Sequence, residues 1–293
     1  RCYRGGIKME TYENLELKTP DREAQRPEYR GTYAHMSASE PEIKNKGLYI
    51  IIPALLVAIA EFLIYSGKII PAMEVHAVLL IGLCFSMLYI KNVEIQKTYQ
   101  AFILLPILRL VNLSMPAFYE ITLYSFVFIY GLLTIPVTVA LTNQGFNQEQ
   151  LGVTFKKIGT YIPLSIIIGL LLGIGEYFII ETNYLVPDLS IISLLILTLV
   201  MVFLVGLVEE IIFRSILQNR LEMFLGSRGG LLVTSVLFGL MHSGYGSMVE
   251  IFYAFLVGFI IGYMFYKTRS LPLVTMVHGF INVFLFGVIP HLF

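Results

Sequence analysis

The chain has 293 residues, 57% of them hydrophobic and 14% charged, with a mean hydropathy of +0.78. Water-soluble domains are rarely so apolar, and apolar blocks of about twenty residues recur along the chain, the length that crosses a bilayer as a helix. A formal net charge of zero gives no footprint for nucleic acid, and two distant cysteines, Cys2 and Cys84, suggest neither a disulfide framework nor a metal cluster.

Residues 1–46 carry nine of the twenty Lys and Arg and eight of the twenty acids, with no aliphatic run. They are expected to be a disordered cytoplasmic tail. The sequence opens on Arg1, which makes Met9 a candidate start, and no signal peptide is expected ahead of the apolar blocks. Residues 47–150 are then expected to hold N-terminal transmembrane segments: 48–66 with Pro53 and Glu61, 72–90 with His76, a short and broken or tilted piece at 101–113 with Pro106 and Arg109, and 117–141. A charged loop is expected at 91–97. His76, Glu61 and Arg109 read as structural or interfacial.

Residues 151–293 form the third region. An amphipathic stretch at 151–159 leads into a span at 161–180, whose Glu176 lies near its far end, where it could snorkel or line a cavity. After an acidic loop come four further segments at 190–220, 231–242, 248–266 and 271–293, separated by breaks at Ser227-Arg228-Gly229-Gly230 and Ser243-Gly244-Tyr245-Gly246. The expected class is therefore an all-α polytopic helical membrane protein with about eight to nine transmembrane segments. Basic residues alternate between loops: Lys44 and Lys46, Lys91 and Lys97, Lys156 and Lys157, Arg220 and Arg228, Lys267 and Arg269 fall on one side, with Lys68 the exception. That bias predicts nine crossings, a cytoplasmic amino end and an external carboxyl end.

Glu209, Glu210 and Arg214 follow nineteen largely apolar residues, 190–208, so three charges sit at or inside the membrane boundary. Each would cost roughly 2.5–3.5 kcal/mol at mid-bilayer, and an intramembrane ionisable group is a functional hypothesis by default. Glu210 and Arg214 are four apart, on one helical face and in the favoured acid-before-base order. Glu209 lies about 100° round the helix and has no partner on it. Such a carboxylate either carries a proton or finds a cation on another helix, and in both cases it suits acid–base work.

Two more polar stripes occur later, Phe238 with His242 and His278 with Asn282, each pair four apart. Lipid cannot satisfy them, so the three stripes are expected to face one another or a wet cavity. Amide hydrolysis by an activated water fits this set. Glu209 would take the proton, His242 would hold the water or shuttle the proton, and His278 and Asn282 would donate to the developing oxyanion. Each stripe alone has an ordinary explanation: a snorkelling helix-end cluster, a packed histidine, interhelical hydrogen bonding. A zinc shell of Glu209, His242 and His278 is the chemical rival, although no His-Glu-x-x-His signature occurs; the favoured reading has no metal and no cofactor.

The constellation resembles the CAAX-processing and bacteriocin-processing (CPBP) intramembrane proteases, which include the type II CAAX prenyl endopeptidases. That family's pattern is Glu-Glu with Arg five after the first Glu, Phe or a similar residue four before a His, and His followed four later by Asn or Asp. Glu209, Glu210, Arg214, Phe238, His242, His278 and Asn282 fill every position, and the resemblance spans roughly residues 151–293. It implies a helical membrane core with a cavity open to the cytosol. It also implies a glutamate-dependent endopeptidase, catalytic at Glu209, His242, His278 and Asn282, with Glu210, Arg214 and Phe238 in support. The implied partners are the lipid bilayer and a membrane-anchored protein or peptide, a prenylated CAAX protein or a peptide precursor. A catalytically silent immunity or scaffold protein of the same family, and a transporter or proton relay, are the competing functions; no inverted repeat favours the latter.

Overall fold

The apolar runs fold as helices, because in lipid each backbone N–H and C=O must be satisfied within its own segment. The computed structural model describes residues 47–114 and 122–293, all within one unit of the chain. The tail expected at 1–46 and the first residues of the segment expected at 117–141 lie outside them. Helices α1 (Leu48–Tyr65), α2 (Ile69–Tyr89), α3 (Val93–Ser114) and α4 (Leu123–Asn143) are followed by the short α5 (Gln148–Leu151) and by α6 (Ile158–Ile180).

A continuous helical run then extends over Ile191–Tyr245. It comprises α7 (Ile191–Val200), π-helical turns at Met201–Gly206, α8 (Leu207–Glu210), further π-helical turns at Ile211–Gln218, and α9 (Asn219–Leu240). The run folds back at Gly226, whose φ of 72° and ψ of 167° suit a residue without Cβ. Helices α10 (Met248–Thr268) and α11 (Leu271–Val283) complete the bundle, α11 continuing through a π-helical stretch at Phe284–Val288.

Seven of the described helices are long and apolar enough to cross a membrane. Together they make a polytopic helical membrane protein. Three sequence expectations are revised. The short piece expected at 101–113 is the last part of a 22-residue helix, α3, which begins inside the supposed loop at 91–97. The segment at 231–242 is the second limb of the 191–245 run, and the break falls at Gly226, one residue before Ser227. Arg220, expected in a loop, is fully buried within the helix, where its Nη1 pairs with Glu94 at 2.6 Å.

Helix α11 occupies the centre. Its span is 67% buried, against 22–39% for the other six, whose outward faces keep Ile52, Phe62, Phe85, Leu171, Ile192 and Phe203 exposed, as a lipid-facing surface requires. Glycines let two helices approach it closely. A Cβ on Gly279 would meet the Val202 Cα at 2.6 Å, and one on Gly206 would meet the Gly279 nitrogen at 3.1 Å. On α6, Gly169 and Gly173 pack against the backbone of Phe280 and Ile281, the close approach that a G-x-x-x-G face permits. These contacts bring the Glu209–Glu210 helix and the Glu176 helix onto the helix carrying His278 and Asn282.

Candidate active site

Glu210 is fully buried between two partners. Its Oε2 accepts from Arg214 Nε at 2.9 Å, and its Oε1 lies 2.7 Å from His278 Nδ1. The helical spacing of four makes the first contact; the glycine crossing of α11 makes the second. The Arg214 guanidinium lies over the Phe238 ring, 5.1 Å from its centroid, and its two terminal nitrogens have no hydrogen-bond partner. Phe238 also stacks edge-on against His278 and sits 4.9 Å from the His242 ring. Arg214 and Phe238 thus brace both histidines.

Glu209 faces away from that pair, as its 100° offset predicts. Its Oε2 lies 3.7 Å from His278 Nε2, and its Oε1 accepts from the hydroxyl of Tyr130 on α4. The sequence leaves open a protonated carboxylate or a cation on another helix, and His278 is the ring that approaches. The phenol donor was not anticipated, since nothing local links residues 79 positions apart. His242 lies in the turn after α9, and its Nδ1 must donate to the Phe238 carbonyl at 2.9 Å, since a carbonyl only accepts. That leaves Nε2 of a neutral ring as a lone-pair acceptor.

Glu209 and His242 share the wall of a cavity of about 310 Å³, with Tyr130, Arg109 and Phe213. A second, small cavity of about 20 Å³ is lined by His242, His278, Asn282 and Glu176. His242 therefore stands between the two spaces. All seven residues singled out from sequence are brought together, and the three stripes do face one another.

Residues before 150 also reach the site. Arg109 on α3 grips Glu61 on α1 with two bonds, Nε to Oε1 at 2.8 Å and Nη2 to Oε2 at 2.6 Å, while His76 Nε2 on α2 lies 3.3 Å from Glu61 Oε1. The same guanidinium donates to the Met241 carbonyl, and Ser243 donates to Glu61. The turn holding His242 is thus fastened on both sides by the first three helices. The signal in sequence was a pair of opposite charges, Glu61 and Arg109, inside apolar blocks.

The residues whose ligand atoms converge closely enough for a metal are not the rival set Glu209, His242 and His278. Among the described residues the converging group is Glu176, His242 and Glu250, all within 4.8 Å of one another. Glu250, on α10, is completely buried, and neither of its oxygens has a hydrogen-bond partner.

Residues 191–284 match the family model of the type II CAAX prenyl endopeptidase Rce1-like proteins. The matched segment is narrower than the 151–293 expected from the motifs, yet it contains all seven of them. No curated protein and no solved structure matches the chain.

Proposed function

We propose that the protein is an intramembrane endopeptidase that hydrolyses a peptide bond with a water activated by Glu209 and His242. The observation that carries this reading is the shared cavity wall: Glu209 and His242 line one space of about 310 Å³, with His278 within 3.7 Å of the same carboxylate. The similarity of residues 191–284 to an endopeptidase family supports it.

In this mechanism Glu209 takes a proton from water while His242 Nε2 accepts the water's second hydrogen bond and fixes its direction. The hydroxide adds to the scissile carbonyl. Developing negative charge on the oxygen is met by the Asn282 amide and by His278 Nε2. Because Glu210 only accepts, His278 Nδ1 is a donor, so Nε2 donates as well only when the ring carries both protons. The mechanism therefore uses the doubly protonated ring. Glu209 then returns its proton to the leaving amine, which breaks the C–N bond. Tyr130 orients Glu209, and Glu210 with Arg214 orients His278.

The substrate class is a membrane-anchored protein or peptide, with a prenylated CAAX protein the variety that the matched family's description names. The basic-loop bias supports a cavity opening to the cytosol. The test is mass spectrometry of peptides released from candidate membrane-anchored substrates by purified wild-type protein and by Glu209→Gln. Cleavage should vanish in the variant while its thermal unfolding in detergent stays unchanged. Near-normal turnover by Glu209→Gln would remove the assignment.

A further inference from the structure

The mechanism leaves two buried carboxylates unused. Glu176 comes from α6 and is 7% exposed; Glu250 comes from α10 and is 0% exposed. Both approach His242, with donor atoms of all three residues mutually within 4.8 Å, and Glu176 and His242 line the small cavity. Two carboxylates so close in an apolar bundle need a cation or a proton between them. Among the described residues no lysine or arginine pairs with either acid: Arg109, which shares the wall of the larger cavity with His242, is engaged by Glu61 and Met241. Glu250's two oxygens are also unpartnered, which is costly for a fully buried acid and points to a missing ligand.

We propose that Glu176, His242 and Glu250 form a binding site for one divalent transition-metal cation, and that its occupation silences the enzyme by taking Nε2 of His242. Four features carry this. The donor set of one imidazole and two carboxylates is a normal three-ligand shell for zinc-class ions, whereas magnesium and calcium prefer oxygen alone. The His242 ring is already oriented, its Nδ1–H held by the Phe238 carbonyl, the arrangement that presents Nε2 to a metal. The charges balance, since two carboxylates and a dication sum to zero in a region where net charge is expensive. A cavity of about 20 Å³ lined by Glu176 and His242 has room for one small ion or water.

Glu209, the proposed base, is outside this ligand set and faces the larger cavity. A cation held by Nε2 of His242 therefore removes the acceptor that positions the water, without recruiting the base. Inhibition, not activation, follows. This consequence rests on the protease reading; the binding site itself does not.

The experiment uses the full-length protein in detergent, stripped with chelator and then titrated with Zn²⁺, with Mg²⁺ as the control ion. Bound zinc, thermal stability and substrate cleavage are measured for wild type, Glu176→Gln and Glu250→Gln. The expected result is one Zn²⁺ per wild-type chain and a higher unfolding temperature with zinc. Either variant should bind zinc at least about tenfold more weakly, since even outer-sphere changes weaken metal sites by that much. Zinc should inhibit wild-type cleavage, and Glu250→Gln should keep its cleavage in zinc concentrations that stop the wild type. Absence of stoichiometric zinc, undiminished binding by both variants, or equal binding of Mg²⁺ would overturn the site. Faster cleavage with zinc would overturn the silencing role. If no candidate substrate is cleaved under any condition, the binding and stability measurements still decide the metal site.

Discussion

Each of the two carboxylates that open the motif is defined by what surrounds it. Glu210 has Arg214 at 2.9 Å and His278 at 2.7 Å, both buried. Removing Arg214 would leave that carboxylate with one histidine and strip the cation from the Phe238 face. Arg214→Ala is therefore expected to destabilise the protein by about 3–5 kcal/mol, the usual cost of breaking a buried pair from one side; thermal unfolding in detergent measures it, and unchanged stability would contradict a buried pair. Asn282 has a different task. It lines the small cavity, one turn after His278, and in the proposed mechanism the bond it offers matters only when an oxyanion forms. Asn282→Ala should lower kcat by about 100- to 1,000-fold with KM little changed, because the lost interaction belongs to the transition state. A proportionate rise in KM at constant kcat would instead make Asn282 a substrate-binding residue.

At the scale of helices, the site exists because glycines allow backbones to touch. The Gly206–Gly279 crossing sets the distance between Glu210 and His278, and the π-helical turns on either side of Leu207–Glu210 adjust the helix to it. Gly279→Ala should cost about 1–3 kcal/mol and depress cleavage, since its Cβ would meet the Val202 backbone at 2.6 Å. Gly131→Ala, with nothing within 4 Å, is the matched control and should be neutral or slightly stabilising. Equal behaviour of the two variants in unfolding and cleavage assays would show that the crossing is not tight. The contrast also explains what the sequence revealed. Glu210 with Arg214, Phe238 with His242 and His278 with Asn282 are each four apart on one helix, so helical geometry alone exposes them. The π-helical turns left no trace, because residues 201–218 are nearly uniformly apolar apart from the motif, and no period stands out. Tyr130 escaped because a tyrosine in an apolar span is unremarkable until its partner is seen.

At the scale of the whole bundle, the first three helices belong to the site although the family match begins only at residue 191. Glu61, His76 and Arg109 were visible in sequence as charges and a histidine within apolar blocks, but their pairing joins three different helices, Arg109 to Glu61 across 48 residues, and could not be read from local spacing. The structure gives them a common purpose: Arg109 and Glu61 clamp Met241 and Ser243, the residues flanking His242. Stability and positioning can be separated by substitution. Arg109→Met alone takes the guanidinium from the completely buried Glu61 carboxylate, leaving it Ser243 and His76, and should destabilise by about 3–5 kcal/mol. Replacing both partners, Glu61→Leu with Arg109→Met, removes the stranded charge and should recover most of that loss, because a buried ion pair exchanged for apolar side chains is often neutral. The double variant still lacks both bonds to the His242 turn. It is therefore expected to unfold near the wild-type temperature while its kcat stays well below wild type, with Glu209-dependent cleavage otherwise intact. Full recovery of kcat along with stability would mean that the clamp serves folding alone and that the turn after α9 holds His242 unaided.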